Sequence, residues 1–338
     1  AATSAPKILI QSDEEQKEET KDLPDYNLPE EREEKDGMIR SFLTGQMVPV
    51  EQANRRPIAI MMSNDKEARP QYGMNRAGVV YEAPVEAEMN RYMAVIEDYD
   101  DLDRIGSVRS CRTYYLLFAK EFEANYVHFG YSEYAADYLA QQSFHALDGM
   151  AYCSFYRTAD RVAPHNAYTS WNGIMDSVAK KGYDTVYPQN FVKPFSFNEE
   201  DDKQVQIAGG ETCNTFYPGY PYNKPWFEYD ESTGEYLRFQ FDDAQIDAET
   251  GEQLSYKNIL VKYVEPDYYE NGTPNYKVDG TGVGLFITNG KAVQVTWKKD
   301  SEISGPTKYY YEDGTEIVLN QGKTYICQVE TTQNVTVE

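Results

Sequence analysis

The sequence predicts an α+β fold in which an acidic tether, residues 1–50, leads into an α/β N-terminal domain, residues 51–195, and then into a mainly antiparallel, β-rich C-terminal domain, residues 196–338. Three observations carry this. Apolar runs of strand length alternate with helical periodicity as far as Gly182, the pattern of a layered α/β unit. Beyond Phe195, strand-like runs follow one another with Asn-Gly and Asp-Gly turns between them, the strongest short hairpin signal. The length, 338 residues, suits about two domains, each with its own core.

The elements follow in chain order. Residues 11–36 hold twelve Asp and Glu, four Lys and Arg and two Pro, with almost no apolar side chains, so they cannot bury enough surface to offset chain entropy and read as an extended, disordered tether. Pro57-Ile58-Ala59-Ile60-Met61-Met62 is a near-continuous apolar run closed by Ser63-Asn64, as in a strand buried on both faces. Gly78–Glu82 and Tyr92–Ile96 predict two further strands. Tyr114, Leu117, Phe118 and Glu121 fall at helical spacing, predicting a helix over 110–123 with Ser110 as its N-cap, before a strand at Asn125–Phe129. Further helices are expected over 132–141 and 169–180, the second stopped by Gly182. The β-rich part reads as strands at 226–229, 236–241, 258–264, 284–288, 292–297 and 325–329, with turns at Asp230–Gly234, Thr288–Lys291 and Glu312–Gly314. Its many tyrosines suit half-buried sheet faces.

The formal charge of −24 excludes nucleic acid as a general partner, because the long-range field repels a phosphate backbone. No apolar run reaches the roughly 18–20 residues that span a bilayer. Cys111, Cys153, Cys213 and Cys327 have no C-x-x-C spacing, so no metal site is expected; two intradomain disulfides or four buried thiols are both compatible with them. With no G-x-x-x-x-G-K, G-x-G-x-x-G or G-x-S-x-G motif, no cofactor is expected either.

Against that acidic background, ten of the thirteen arginines and all three histidines lie between residues 41 and 180, with only three lysines; residues 181–338 carry one arginine, Arg238, and twelve lysines. Arginine is the side chain of bidentate carboxylate and phosphate capture. In Gly106-Ser107-Val108-Arg109-Ser110-Cys111-Arg112 two arginines stand at the start of the predicted helix, where its dipole disfavours a cation by roughly 0.3–1 kcal/mol. An anion over that N-terminus would offset the cost, as would acidic partners such as Glu82, Glu86 and Glu88. If extended, those three glutamates share one face, and neighbours two apart lie roughly 6–7 Å from each other, a spacing that also serves glycosidase pairs or a cation site. His128, at the end of a strand, and His165, after Pro164, are candidate general bases.

Ala68-Arg69-Pro70-Gln71, Val80-Tyr81-Glu82, Ile105–Arg112 and Ala163-Pro164-His165-Asn166 together resemble the YerB-like lipoprotein family. Tyr229-Asp230, Asn258-Ile259, Thr288-Asn289-Gly290-Lys291 and Val295-Thr296-Trp297-Lys298-Lys299 look like that family's C-terminal domain, so the resemblance spans roughly residues 55 to 330. It implies two domains of unknown function in an extracytoplasmic protein of a Gram-positive type envelope, tethered to the outer face of the cytoplasmic membrane only through a lost N-terminal lipid anchor. It implies no reaction, and whether the protein is an enzyme stays open. The expectation is an N-terminal domain that binds an anionic small molecule or cell-wall polymer component through Arg69, Arg109, Ser110, Arg112, Arg161 and Asn166. The alternatives are an envelope hydrolase using Glu82 or Glu86 with His128 or His165, and a protein-interaction scaffold on the tyrosine-rich sheet. Oligomeric state has no signature in the sequence.

Overall fold

The computed structural model describes residues 32–151 and 154–338. Among them, eleven strands form one mixed sheet: β1 Ile58–Met62, β2 Val79–Pro84, β3 Asn90–Ile96, β4 Asn125–His128, β5 Ala146–Asp148, β6 Glu211–Thr212, β7 Asn258–Val264, β8 Gly280–Thr288, β9 Lys291–Lys299, β10 Lys308–Tyr310 and β11 Thr324–Glu330. Their order across the sheet is β6-β9-β8-β7-β11-β2-β3-β1-β4-β5, with β10 also paired to β9. β1 and β3 are buried at every position, which is why β1 and the Tyr92–Ile96 part of β3 are apolar without polar alternation. Successive residues enter different cores: Ala59, Met61, Tyr81, Met93 and Val95 line one face, and Ile58, Ile60, Val80, Tyr92 and Ala94 the other.

The first face is covered by helix α1, Thr113–Lys120, whose Phe118 stacks on Tyr81 with ring centroids 4.7 Å apart. The second is covered by helix α2, Trp171–Lys181, through Ile174 and Val178, and by a smaller antiparallel sheet built on Trp226–Asp230 and Glu235–Gln240. From that sheet Phe227 meets Tyr325 of β11, with centroids 5.0 Å apart. The fold is therefore α+β, rich in strand.

β11 lies parallel between β7 and β2, in register from Thr324 opposite Val79 to Cys327 opposite Glu82. The chain segments on either side of residue 195 thus supply neighbouring strands of one sheet. A run such as Tyr325–Val329 shows in sequence that a strand is buried; its partner is chosen in three dimensions.

Several boundaries differ from the sequence expectation. Residues 38–49, assigned to the tether, form a hairpin of Met38–Arg40 with Met47–Pro49; Ile39, Phe42 and Leu43 are buried there, and Phe42 meets Tyr187 and Phe191 edge-on, centroids 5.3 Å apart in each case. Three apolar side chains were enough to fold a segment whose flank is acidic. Residues 1–31 of the proposed tether lie outside the described residues. α1 is shorter than 110–123 and begins after Arg112, which occupies the N-cap position, so Ser110 is not its cap; the Ser110 hydroxyl donates instead to the Phe129 carbonyl at 3.0 Å. The 132–141 helix is a 3-10 turn, Glu133–Ala135, followed by one short helix, Ala136–Leu139. α2 begins at Trp171, two residues later than expected, because the Ser170 hydroxyl caps it by accepting from the Gly173 amide at 3.1 Å, and it stops as expected at Gly182, φ 65°. Asn289 and Gly290, both at positive φ, make the tight β8–β9 turn. Cys111, Cys213 and Cys327 are buried free thiols; Cys153 lies outside the described residues.

Candidate functional site

Residues 105–112 cross the edge of β1 and pass into α1: the Arg109 amide donates to the Met61 carbonyl at 3.1 Å, and Val108 bridges Met62. This places Arg109 and Arg112 beside Arg91, which projects from β3. Arg112 forms a two-pronged ion pair with Glu86, 2.6 Å from Nε to Oε1 and 2.8 Å from Nη2 to Oε2. Burial tends to raise the Glu86 pKa, but Arg112 outweighs it and holds the carboxyl below its ordinary value. Arg109 Nη1 lies 2.9 Å from Asp65 Oδ2, which also accepts from the Ser63 hydroxyl at 2.7 Å and stands 3.4 Å from His165 Nδ1.

Arg91 is different. It is 9 % exposed, and the only hydrogen bond of its side chain among the described residues runs from Nη1 to the Ser110 carbonyl at 2.9 Å. Burial first, then repulsion from Arg112 and Arg109, lowers its pKa to about 10. Three guanidinium groups here share two carboxylates, so a protein of charge −24 concentrates surplus positive charge at one place. Next to Asp65, Asn64 is buried with neither amide atom partnered among the described residues.

The other residues singled out in sequence disperse. Arg161 donates to the carbonyls of Ala68 and, at 2.7 Å, Pro70, bracing the loop that carries Arg69. Arg69 stacks on Phe241, 4.4 Å from the ring centroid, in contact with the second half of the chain rather than with Arg109. Asn166 links Thr158 and Arg157, at 2.9 and 2.7 Å. His128 is buried, bonded through Nδ1 to the Gly130 carbonyl at 2.8 Å, and burial lowers its pKa. It has no bond to either glutamate proposed as its partner. Glu88 is exposed.

Glu82 and Glu86 do not line a common cleft. Glu82 projects from β2 into the space between the two sheets, fully buried, and Arg238 Nη2 reaches its Oε2 at 2.7 Å. Tyr325 donates to the same oxygen at 2.5 Å, and Asn90 and Asn223 to Oε1, the latter at 3.0 Å. Burial opposes charge on Arg238, yet Glu82 holds its pKa well above the ordinary value. The lone arginine of the second half is thus the counter-ion of a glutamate from the first. In sequence it is visible as the one cation in the alternating run Tyr236–Phe241, and Arg91 and Asn90 as polar residues opening an apolar strand; nothing local names their partners.

Fold and site together define a two-segment α+β protein whose halves share a sheet and a buried ion pair, with a basic cluster at the rim of the first half. Residues 43–184 match a family model described as "Protein of unknown function (DUF3048) N-terminal domain", and residues 216–326 match its C-terminal domain. "Putative lipoprotein YerB" of Bacillus subtilis (strain 168) is 27 % identical over 299 residues, covering 85 % of each chain. The crystal structure of YerB protein from Bacillus subtilis superposes with a TM-score of 0.75 at 26 % identity, over 86 % of this chain and 96 % of that one. The chain belongs to the YerB-like two-domain family.

Proposed function

We propose that this is an extracytoplasmic, membrane-anchored binding protein whose Arg91–Arg109–Arg112 cluster receives an anionic group of an envelope polymer or its precursor. The location rests on the lipoprotein relative; among the described residues no helix is long and apolar enough to cross a membrane. The binding reading rests on Arg91, a desolvated guanidinium with no carboxylate bonded to it among the described residues, beside two arginines that already take the local acids. A bound anion would supply the missing countercharge and, through forked N–H donors, the geometry.

The test is calorimetric titration with inorganic phosphate and with a purified anionic wall polymer, at low and high salt. The wild type is expected to bind in a salt-dependent manner, and Arg109→Ala with Arg112→Ala to lose at least tenfold in affinity with its fold intact. A large fall in melting temperature with no change in binding would make these arginines structural pairs and end the proposal.

A second reading has one observation behind it. Asp65 stands at Nδ1 of His165, whose Nε2 has no partner among the described residues, an arrangement able to activate water. It requires product release from envelope polymer by the wild type and none by His165→Asn; equal behaviour of the two excludes it.

A further inference from the structure

The acid that neutralises Arg112 is carried on an exposed, strained turn. β2 and β3 pair antiparallel as far as Pro84 opposite Asn90, and the chain then reverses through Val85–Met89. There the Val85 amide donates to the Met89 carbonyl at 2.7 Å, and the Met89 amide to the Glu86 carbonyl at 3.2 Å. The two central residues, Ala87 and Glu88, stand at φ 58° and 59°, and both are exposed. A hairpin turn with positive φ at both centres normally takes Asn-Gly, Asp-Gly or Gly-Gly, because a Cβ disfavours the left-handed region. Alanine is not a residue that such a turn selects. The conformation does bring Glu86 to Arg112, and that two-pronged contact is the only side-chain hydrogen bonding its carboxylate has among the described residues.

The two carboxylates of the cluster are held differently. The Asp65 side chain is 15 % exposed and is fixed by the Ser63 hydroxyl as well as by Arg109. The Glu86 side chain is 30 % exposed; burial works against its charge, and Arg112, then Arg91, favour it. Glu86 is therefore the acid that an incoming anion can replace, while Asp65 stays on Arg109. With Glu86 swung out, Arg112 and Arg91 present two positive charges and no carboxylate bonded to either. A monoanion entering there restores only the charge that Glu86 already supplied, and it competes with a group tethered at high effective concentration. A dianion neutralises both guanidinium groups and has oxygens for both forks.

We infer that Glu86 is a displaceable internal occupant of the arginine site, and that the group which replaces it is a dianionic phosphate monoester, in preference to a carboxylate or a phosphodiester. Both parts rest on the reading of Arg91, Arg109 and Arg112 as an anion site. They add to it the charge of the ligand and the contact that the ligand must break, and they give the exposed turn its purpose: Glu86 can leave without disturbing the buried strands behind it.

The experiment is calorimetric titration of the intact protein at pH 8 with methyl phosphate, which is a dianion there, and with the monoanions dimethyl phosphate and acetate; thermal unfolding checks the fold of each variant. The wild type is expected to bind methyl phosphate about tenfold or more tightly than either monoanion. Glu86→Gln should bind all three about tenfold or more tightly than the wild type does and keep their order, because the competitor is gone and the arginines remain. Arg91→Met should lose the preference for methyl over dimethyl phosphate, since one guanidinium then faces one charge. Displacement is overturned if Glu86→Gln binds methyl phosphate no better than the wild type, and charge matching if the wild type does not prefer the dianion; in either case the arginine cluster still stands as an anion site. Failure of the wild type and of Glu86→Gln alike to bind any of the three probes removes that site, and the role of Glu86 with it.

Discussion

Replacing Arg238 by alanine strands the Glu82 carboxylate between two sheets, with no water to reach it: both side chains are fully buried, 2.7 Å apart. Removing one partner of a buried ion pair typically costs ~3–5 kcal/mol, because the remaining charge keeps its desolvation penalty and loses its countercharge. With an unfolding entropy of ~2.1 cal/mol/K per residue over roughly 300 folded residues, a loss of ~4 kcal/mol lowers the melting temperature by about 6 °C. Arg238→Met combined with Glu82→Leu removes both charges while keeping most of the volume, and it should recover most of that loss, since apolar replacement of a buried pair is often neutral or better. Differential scanning calorimetry of the wild type, both single variants and the double variant gives the coupling directly. A fall of less than about 1 °C for Arg238→Ala, or additive single effects, would refute the claim that this pair joins the halves.

The remaining predictions concern pH and the arginine loop. Glu97 is buried and bonded to the Ser41 hydroxyl at 2.5 Å, and burial raises its pKa from 4.5 to about 7. The folded protein therefore prefers the protonated acid: its contribution is fully present below pH 4.5 and is lost as pH rises through about 7, a difference of roughly 3 kcal/mol. Glu97→Gln should accordingly raise the melting temperature at pH 8 and leave it nearly unchanged at pH 4, and an equal effect at both would sink the assignment. Gly106 lies at φ 137°, and a Cβ there would stand 2.7 Å from the Val108 nitrogen. Gly106→Ala should cost ~1–3 kcal/mol and weaken polymer binding by displacing Arg109 and Arg112, measured by unfolding and titration together; unchanged stability would show that the loop relaxes freely.

Local pattern determined a good deal of this protein. The continuous apolar runs at 58–62 and 92–96 marked doubly buried strands, Gly182 marked the end of α2, and Asn289-Gly290 marked a hairpin, because each depends on neighbours within a few residues. The crowding of arginine into the first half was legible too, and so were two of the three members of the cluster. The partners were not. Glu82 reads in sequence as one of three equivalent acids, yet it is the carboxylate that Arg238 neutralises 156 residues away, and Glu86 is the one that Arg112 takes. Arg91 looked like part of a strand and proved to be the cation left over. Side-chain type and spacing state what a residue needs to be buried; only the pairing of β11 with β2 and the closure of the second sheet decide which residue meets that need, because a charge in a low-dielectric interior is governed by the groups within a few ångströms, whatever their distance along the chain.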